Sequence, residues 1–201
     1  MAYRDFSMDD LAQKFGIQEV GIRLFDVKAV VRLEPSEKLK SDIAEADEIN
    51  LSTEKAVSER LVAPVLVEIK KRNDFIQIFS GEIITADKAQ GLNGEIDFIY
   101  AKKPITSKPN TPLLCVTEAK LGFPSRAFPQ ACAQMLGLRL FNAKKGHEIP
   151  IIHGIVTDGR VWRILKLDDT ILYVDLTEYS ISDLPLLLGI LQKIMDFYKE
   201  N

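Results

Sequence analysis

Apolar and polar positions along the chain fall into short blocks whose period switches between that of a helix and that of a strand. Met8–Phe15 reads as a short helix with Asp9 and Asp10 in its first turn. GIQEVGIRLFDVKAVVRL follows as one or two short strands, or a strand and a turn, and EPSEKLKSDIAEADEIN as a charged helix with loop ends. Ser52 or Thr53 is placed to cap a helix that has Glu54 in its first turn and continues over 54–63. Pro64 then kinks it or restarts it before VLVEIKKR. FIQIFSGEII is a strand, with Gly81 marking a bulge or turn near its end, and TADKAQGLNG is a polar connector. Apolar runs at 96–100 and 112–117 flank a proline-bearing connector, which predicts an antiparallel hairpin with a long loop.

Beyond Lys120 lies the loop LGFPSRAF, which carries Arg126, and Pro129 suits the first turn of a helix running to about Lys144. Ala131, Met135 and Leu138, with Cys132 and Leu136 alongside, give that helix a broad apolar face. IPIIHGIVTDGRVWRILKL is a hairpin turning at Asp158-Gly159, and TILYVDL a further strand. A last helix from Ser182 is apolar around most of its circumference, so it packs under a sheet or forms a subunit interface. The order is helix, three strands, helix, strand, with strands and a helix appended. It predicts an α/β (α+β) fold: one domain over 1–201, with an extension (1–51), a core (52–167) and a C-terminal strand and helix (168–201).

The chemistry gathers on the central hairpin, GEIDFIYAKKPITSKPNTPLLCVTEAK. Side chains alternate along a strand, so Glu118 and Lys120 share a face while Ala119 points away. A regular hairpin centred between residues 107 and 108 sets Asp97 almost opposite Glu118. Opposed carboxylates in a sheet repel each other, and a cation between them relieves the repulsion. Mg²⁺ takes one or two carboxylates and fills its shell with water and phosphate oxygens. Asp97 and Glu118 are therefore candidate metal ligands, with Lys120 beside them to hold phosphate or stabilise charge. Glu59, mid-helix, is surface or else a glutamate aimed at that site. Gln130 and Gln134, four apart on the helix after the hairpin, are helix surface or else amides that orient a water or contact a phosphate or base.

Composition narrows the class. The 201 residues are 46% hydrophobic and 27% charged, the profile of one ordinary soluble domain. No apolar run approaches a membrane span, and MAYRDFSMDD is no signal peptide, so no membrane and a cytoplasmic location are expected. Cys115 and Cys132 form no CxxC pair and read as buried free thiols. His147 and His153 are isolated, in loop and core. The net charge of −3 argues against tight nonspecific nucleic-acid binding while leaving room for a local basic patch.

These elements and motifs resemble the PD-(D/E)XK, or restriction-endonuclease-like, nuclease superfamily, in which Asp lies on the second strand and Glu-x-Lys ends the third. More narrowly, TEKAVSERLVAPVLVEI, FSGEII, GLNGEIDFIY, VTEAK, QACAQM with FN after it, and HGIVTDGRVWRILKL are similar to a group of bacterial, largely cyanobacterial proteins. That group is related to the N-terminal nuclease domain of type I restriction enzyme R subunits. The resemblance covers about residues 52–192 and implies an αβββαβ core. It implies Asp97 and Glu118 as ligands of Mg²⁺ (or Mn²⁺) and Lys120 as the lysine that positions the attacking water or the transition state. Glu59 matches the acid on the first helix, and Gln130 a glutamine of the second.

Two positions depart from the pattern: Ile96 stands where proline is common, and Gln134 where RecB-like nucleases carry tyrosine. No P-loop is present, so the motor of a complete restriction subunit is missing from this sequence. The implied activity is metal-dependent hydrolysis of DNA phosphodiester bonds, with a homodimer or a larger restriction or repair complex as expected assemblies. The alternative is a nucleic-acid-binding or assembly module that keeps the fold without turnover. A two-carboxylate glycosidase needs an aromatic-lined cleft, which a single Trp does not favour.

Overall fold

The computed structural model describes residues 1–103, 109, 112–122 and 124–200. Most of the connector expected at 103–111 lies outside the described residues. The fold is α+β, a mixed eight-stranded sheet with helices on both faces. Among the described residues no helix is long and apolar enough to cross a membrane.

Chain order runs α1 (Met8–Phe15), β1 (Gln18–Ile22), α2 (Glu37–Asp47), α3 (Glu54–Val57), α4 (Ala63–Arg72), β2 (Ile76–Asp87), β3 (Leu92–Lys102) and β4 (Leu113–Ala119). It continues through α5 (Phe128–Lys144), β5 (Ile151–Thr157), β6 (Val161–Asp168), β7 (Ile171–Asp175), the short β8 (Tyr179–Ser180) and α6 (Leu184–Glu200). The sheet order is β1-β7-β6-β5-β4-β3-β2, with β8 on β6. β2, β3 and β4 pair antiparallel, whereas β5 lies parallel to β4 and is reached through α5.

Two cores, one on each face, follow from the alternation of side chains. Ile164 of β6 faces the core under α2, α4 and α6, and Leu165 faces the one under α1 and α5. β4 is buried along its whole length, as a central strand covered on both faces must be. The leucine-rich circumference of α6 is absorbed inside the chain: Leu187, Leu188, Leu191, Ile194 and Met195 are all buried. Those leucines serve the core rather than a subunit interface.

Thr53 caps α3, its hydroxyl accepting from Ala56 N–H at 3.1 Å. Between α3 and α4, Ser58–Val62 forms a π turn in which Ala63 N–H donates to Ser58 O. Pro64, which has no N–H and crowds the preceding turn, accounts for this widening. β2 runs through Gly81, whose φ of +66° puts left-handed backbone in mid-strand, where the sequence suggested a bulge or turn near the strand's end.

The first 51 residues are built into the same body. β1 adds an edge strand parallel to β7, and α2 is tied to α4 through Ser36, whose hydroxyl donates to buried Glu68 at 2.8 Å. Tyr3 is buried beneath α5.

Candidate active site at the ends of β3 and β4

The β3–β4 ladder pairs Phe98 with Thr117, Ile99 with Val116 and Tyr100 with Cys115. Continued by one step, this register sets Asp97 opposite Glu118, as the hairpin symmetry predicts. A shift between Tyr100 and Ala101 breaks the register further along, away from the acids. At Asp97 the ladder has ended, and the aspartate Oδ2 accepts from Ala119 N–H at 2.8 Å. That bond fixes the carboxylate at the seam between the strands. Next to it Ile96 belongs to one core and Phe98 to the other, although residues two apart ordinarily share a face. The strand is wrenched here, where Gly81 of β2 falls between Ser80↔Phe98 and Glu82↔Ile96.

Glu118 is 1% exposed, and every oxygen of its carboxylate is engaged. Oε1 accepts from Gln130 Nε2 at 2.6 Å and pairs with Lys120 Nζ at 2.8 Å, while Oε2 accepts from Gln134 Nε2 at 2.6 Å. Glu118 and Lys120 thus share a face, and the i, i+4 glutamines of α5 are not helix surface. Both are turned onto the same carboxylate. Gln134 is fully buried, and its Oε1 has no hydrogen-bond partner among the described residues.

Burial lifts the Glu118 carboxyl to about 7, and the Asp97 charge adds to the rise against the opposing pull of Lys120 and Gln134. Asp97 is also raised, by burial first, partly offset by the Ala119 N–H and Lys120. Burial acts to depress Lys120, but Glu118, Glu54 and Asp97 outweigh it and hold the ammonium above its ordinary range. The site is a partly desolvated acid pair held in check by one lysine.

The acid from the first helical segment that reaches this lysine is Glu54, with Oε2 3.6 Å from Lys120 Nζ. Glu59, the residue matched from the sequence, has a side chain 60% exposed and pairs with Lys55 at 3.9 Å. The π turn that begins at Ser58 changes the phase between the two glutamates, and it is Glu54 that is brought to Lys120. Glu59 does border a cavity of about 500 Å³ that Glu54, Ser80, Gly81 and Asp97 also line. A second cavity, of about 580 Å³, opens on the α5 side and holds Asp97, Glu118, Lys120 and Gln130 together with Glu95 and residues 2–4. Asp97 and Glu95 line both, so Asp97 lies where two clefts meet.

Among the described residues no group of three or more His, Cys, Asp or Glu side chains is arranged to hold a metal ion. The chemistry of the pair nevertheless suits a hard divalent cation that keeps much of its water: two oxygen donors, each with a raised affinity for positive charge. Such an ion would compete with Lys120 and Gln130 for Glu118 Oε1.

Other polar groups have structural roles. His153 is buried, its Nδ1 2.9 Å from the Tyr198 hydroxyl, which donates to Leu114 O. Cys115 and Cys132 are buried free thiols. Glu54 and the N-terminal residues were missed by sequence reasoning. For Glu54 the available signal was its place directly after the capping Thr53, and for residues 2–4 the sequence carries none. No protein-family model matches this chain, and no curated protein matches it.

Proposed function

We propose that this protein is a metal-dependent nuclease of the restriction-endonuclease-like class, hydrolysing DNA phosphodiester bonds at the Asp97–Glu118–Lys120 site. One observation carries the reading: two carboxylates of raised proton affinity line one cleft from adjoining strand ends, with an ammonium 2.8 Å from one of them. The order α4-β2-β3-β4-α5-β5, antiparallel through β4 and parallel from β4 to β5, supports the αβββαβ core that this class requires.

Asp97 and Glu118 would hold Mg²⁺ (or Mn²⁺). When bound, the ion supplies Lewis acidity toward a phosphoryl oxygen and a water of lowered pKa. Lys120, kept protonated by its acidic neighbours, stabilises negative charge developing on the phosphoryl group. Gln130 and Gln134 hold the Glu118 carboxylate in one orientation, and Ala119 N–H does the same for Asp97. Glu54, 3.6 Å from the ammonium, helps to hold Lys120, and Glu59 stands at the cleft rim. No side chain serves as a covalent nucleophile in this scheme.

The test is cleavage of supercoiled and linear DNA in Mg²⁺ and in Mn²⁺ by the protein and by its Asp97→Ala and Lys120→Ala variants. Loss of cleavage in both, with unchanged circular dichroism, is expected. Unchanged cleavage in either variant would refute the assignment.

A second reading, a binding module without turnover, draws on the saturation of Glu118 by Lys120, Gln130 and Gln134, since a fully satisfied carboxylate is also what a structural site looks like. DNA binding without cleavage in every metal would favour it.

A further inference from the structure

One wall of the cavity on the α5 side comes from the N-terminal turn, far from the acid pair in the sequence. Residues Tyr3–Asp5 form a single 3₁₀ turn, and Ala2, Tyr3 and Arg4 line the same cavity as Asp97, Glu118 and Lys120. Tyr3 anchors this turn. It is 1% exposed and lies across two glycines, Gly94 of β3 and Gly137 of α5. A Cβ at Gly94 would come within 3.2 Å of Tyr3 Cδ2, and one at Gly137 would fall on the tyrosine hydroxyl. A ring seated in space that two glycines leave open fixes the backbone of the next residue, so Arg4 starts from the cleft wall with its side chain exposed there.

The cavity is short of cations. Glu95, Asp97 and Glu118 line it, against Lys120 and Arg4. Lys120 is committed to Glu118 at 2.8 Å and to Glu54 at 3.6 Å. Arg4, by contrast, has a side chain 82% exposed, and its ion pair with neighbouring Asp5 is a loose 3.8 Å. An exposed guanidinium presents paired N–H donors matched to phosphate oxygens.

We propose that Arg4 is a substrate-binding residue that contacts a phosphate of the nucleic-acid backbone beside the scissile bond, and that the Tyr3 anchor holds it in place. This rests on the nuclease reading of the site and adds to it the group that draws a polyanion into an acidic cleft.

The test is binding of a fluorescent DNA duplex, followed by anisotropy in Ca²⁺ across a salt series, for the protein and its Arg4→Gln, Arg4→Lys and Arg32→Gln variants. Arg32 pairs with Asp183 in the layer on the other face of the sheet and serves as the control. Losing one phosphate contact lowers the slope of log affinity against log salt by about 0.9. Arg4→Gln is expected to weaken binding roughly tenfold at moderate salt, Arg4→Lys to restore part of it, and Arg32→Gln to change nothing. Wild-type binding with an unchanged slope in Arg4→Gln overturns the Arg4 assignment alone. Protein that neither binds nor cuts DNA overturns the nuclease reading and this inference together. Equal losses in Arg4→Gln and Arg32→Gln show a general charge effect and also overturn it.

Discussion

Neutralising Glu118 separates what this carboxylate does for the fold from what it does for an ion. Its carboxyl rises from an ordinary 4.5 to about 7, through burial and then the Asp97 charge. A raised folded-state pKa means the native protein holds this proton more tightly than the unfolded chain does. The associated stability is fully present below about pH 4.5 and is lost as pH rises through 7. At about 1.4 kcal/mol per pH unit, the ionised carboxylate costs the fold ~3 kcal/mol at high pH, most of which appears between pH 5 and pH 8.

Glu118→Gln removes the titration. The amide loses the Lys120 pair and turns an NH₂ toward one glutamine, but that cost is the same at both pH values and cancels in the comparison. Urea unfolding in EDTA at pH 5 and pH 8 should therefore show the variant gaining ~2–3 kcal/mol on the wild type as pH rises. Curves that move in parallel with pH would refute the electrostatic account of the site. Added Mg²⁺ at pH 8 should raise wild-type stability and leave Glu118→Gln where it was.

Other outcomes follow from the same geometry. His153, buried against Tyr198, is depressed to about 3 by burial and then by Lys166, so the folded state resists its protonation and stability falls as pH drops below 6.5. His153→Phe should remove ~2 kcal/mol of the loss seen between pH 7 and pH 5 in denaturant titrations. Gly137→Ala would gain about 1 kcal/mol of helix propensity on its own, but the new Cβ lands on the Tyr3 hydroxyl. A net loss of ~1–3 kcal/mol is expected, read as a lower urea midpoint, and a rise in midpoint would show that Tyr3 yields freely. Burial holds Cys132 up at about 12 and Cys115 higher still, so neither thiol should react with a thiol reagent until the protein unfolds.

Local rules account for what could be read in the chain. Alternation alone puts Glu118 and Lys120 on one face of β4, and the symmetry of the hairpin sets Asp97 against Glu118. Both depend only on strand period and loop centre, which survive whatever packs around them. Pro129 and the i, i+4 spacing of Gln130 and Gln134 likewise placed α5 and turned both amides one way. Three features lay beyond such rules because they depend on contacts between distant segments. The choice of Glu54 over Glu59 depends on how the capped α3 and the π turn before Pro64 are rotated against the sheet, and periodicity cannot fix that phase. The Glu118 carboxyl is lifted by burial between β4 and α5, a property of the packed layers and not of any spacing. The docking of Tyr3 between Gly94 and Gly137 joins three segments with no local relation, and only the closed tertiary structure brings Arg4 to the cleft.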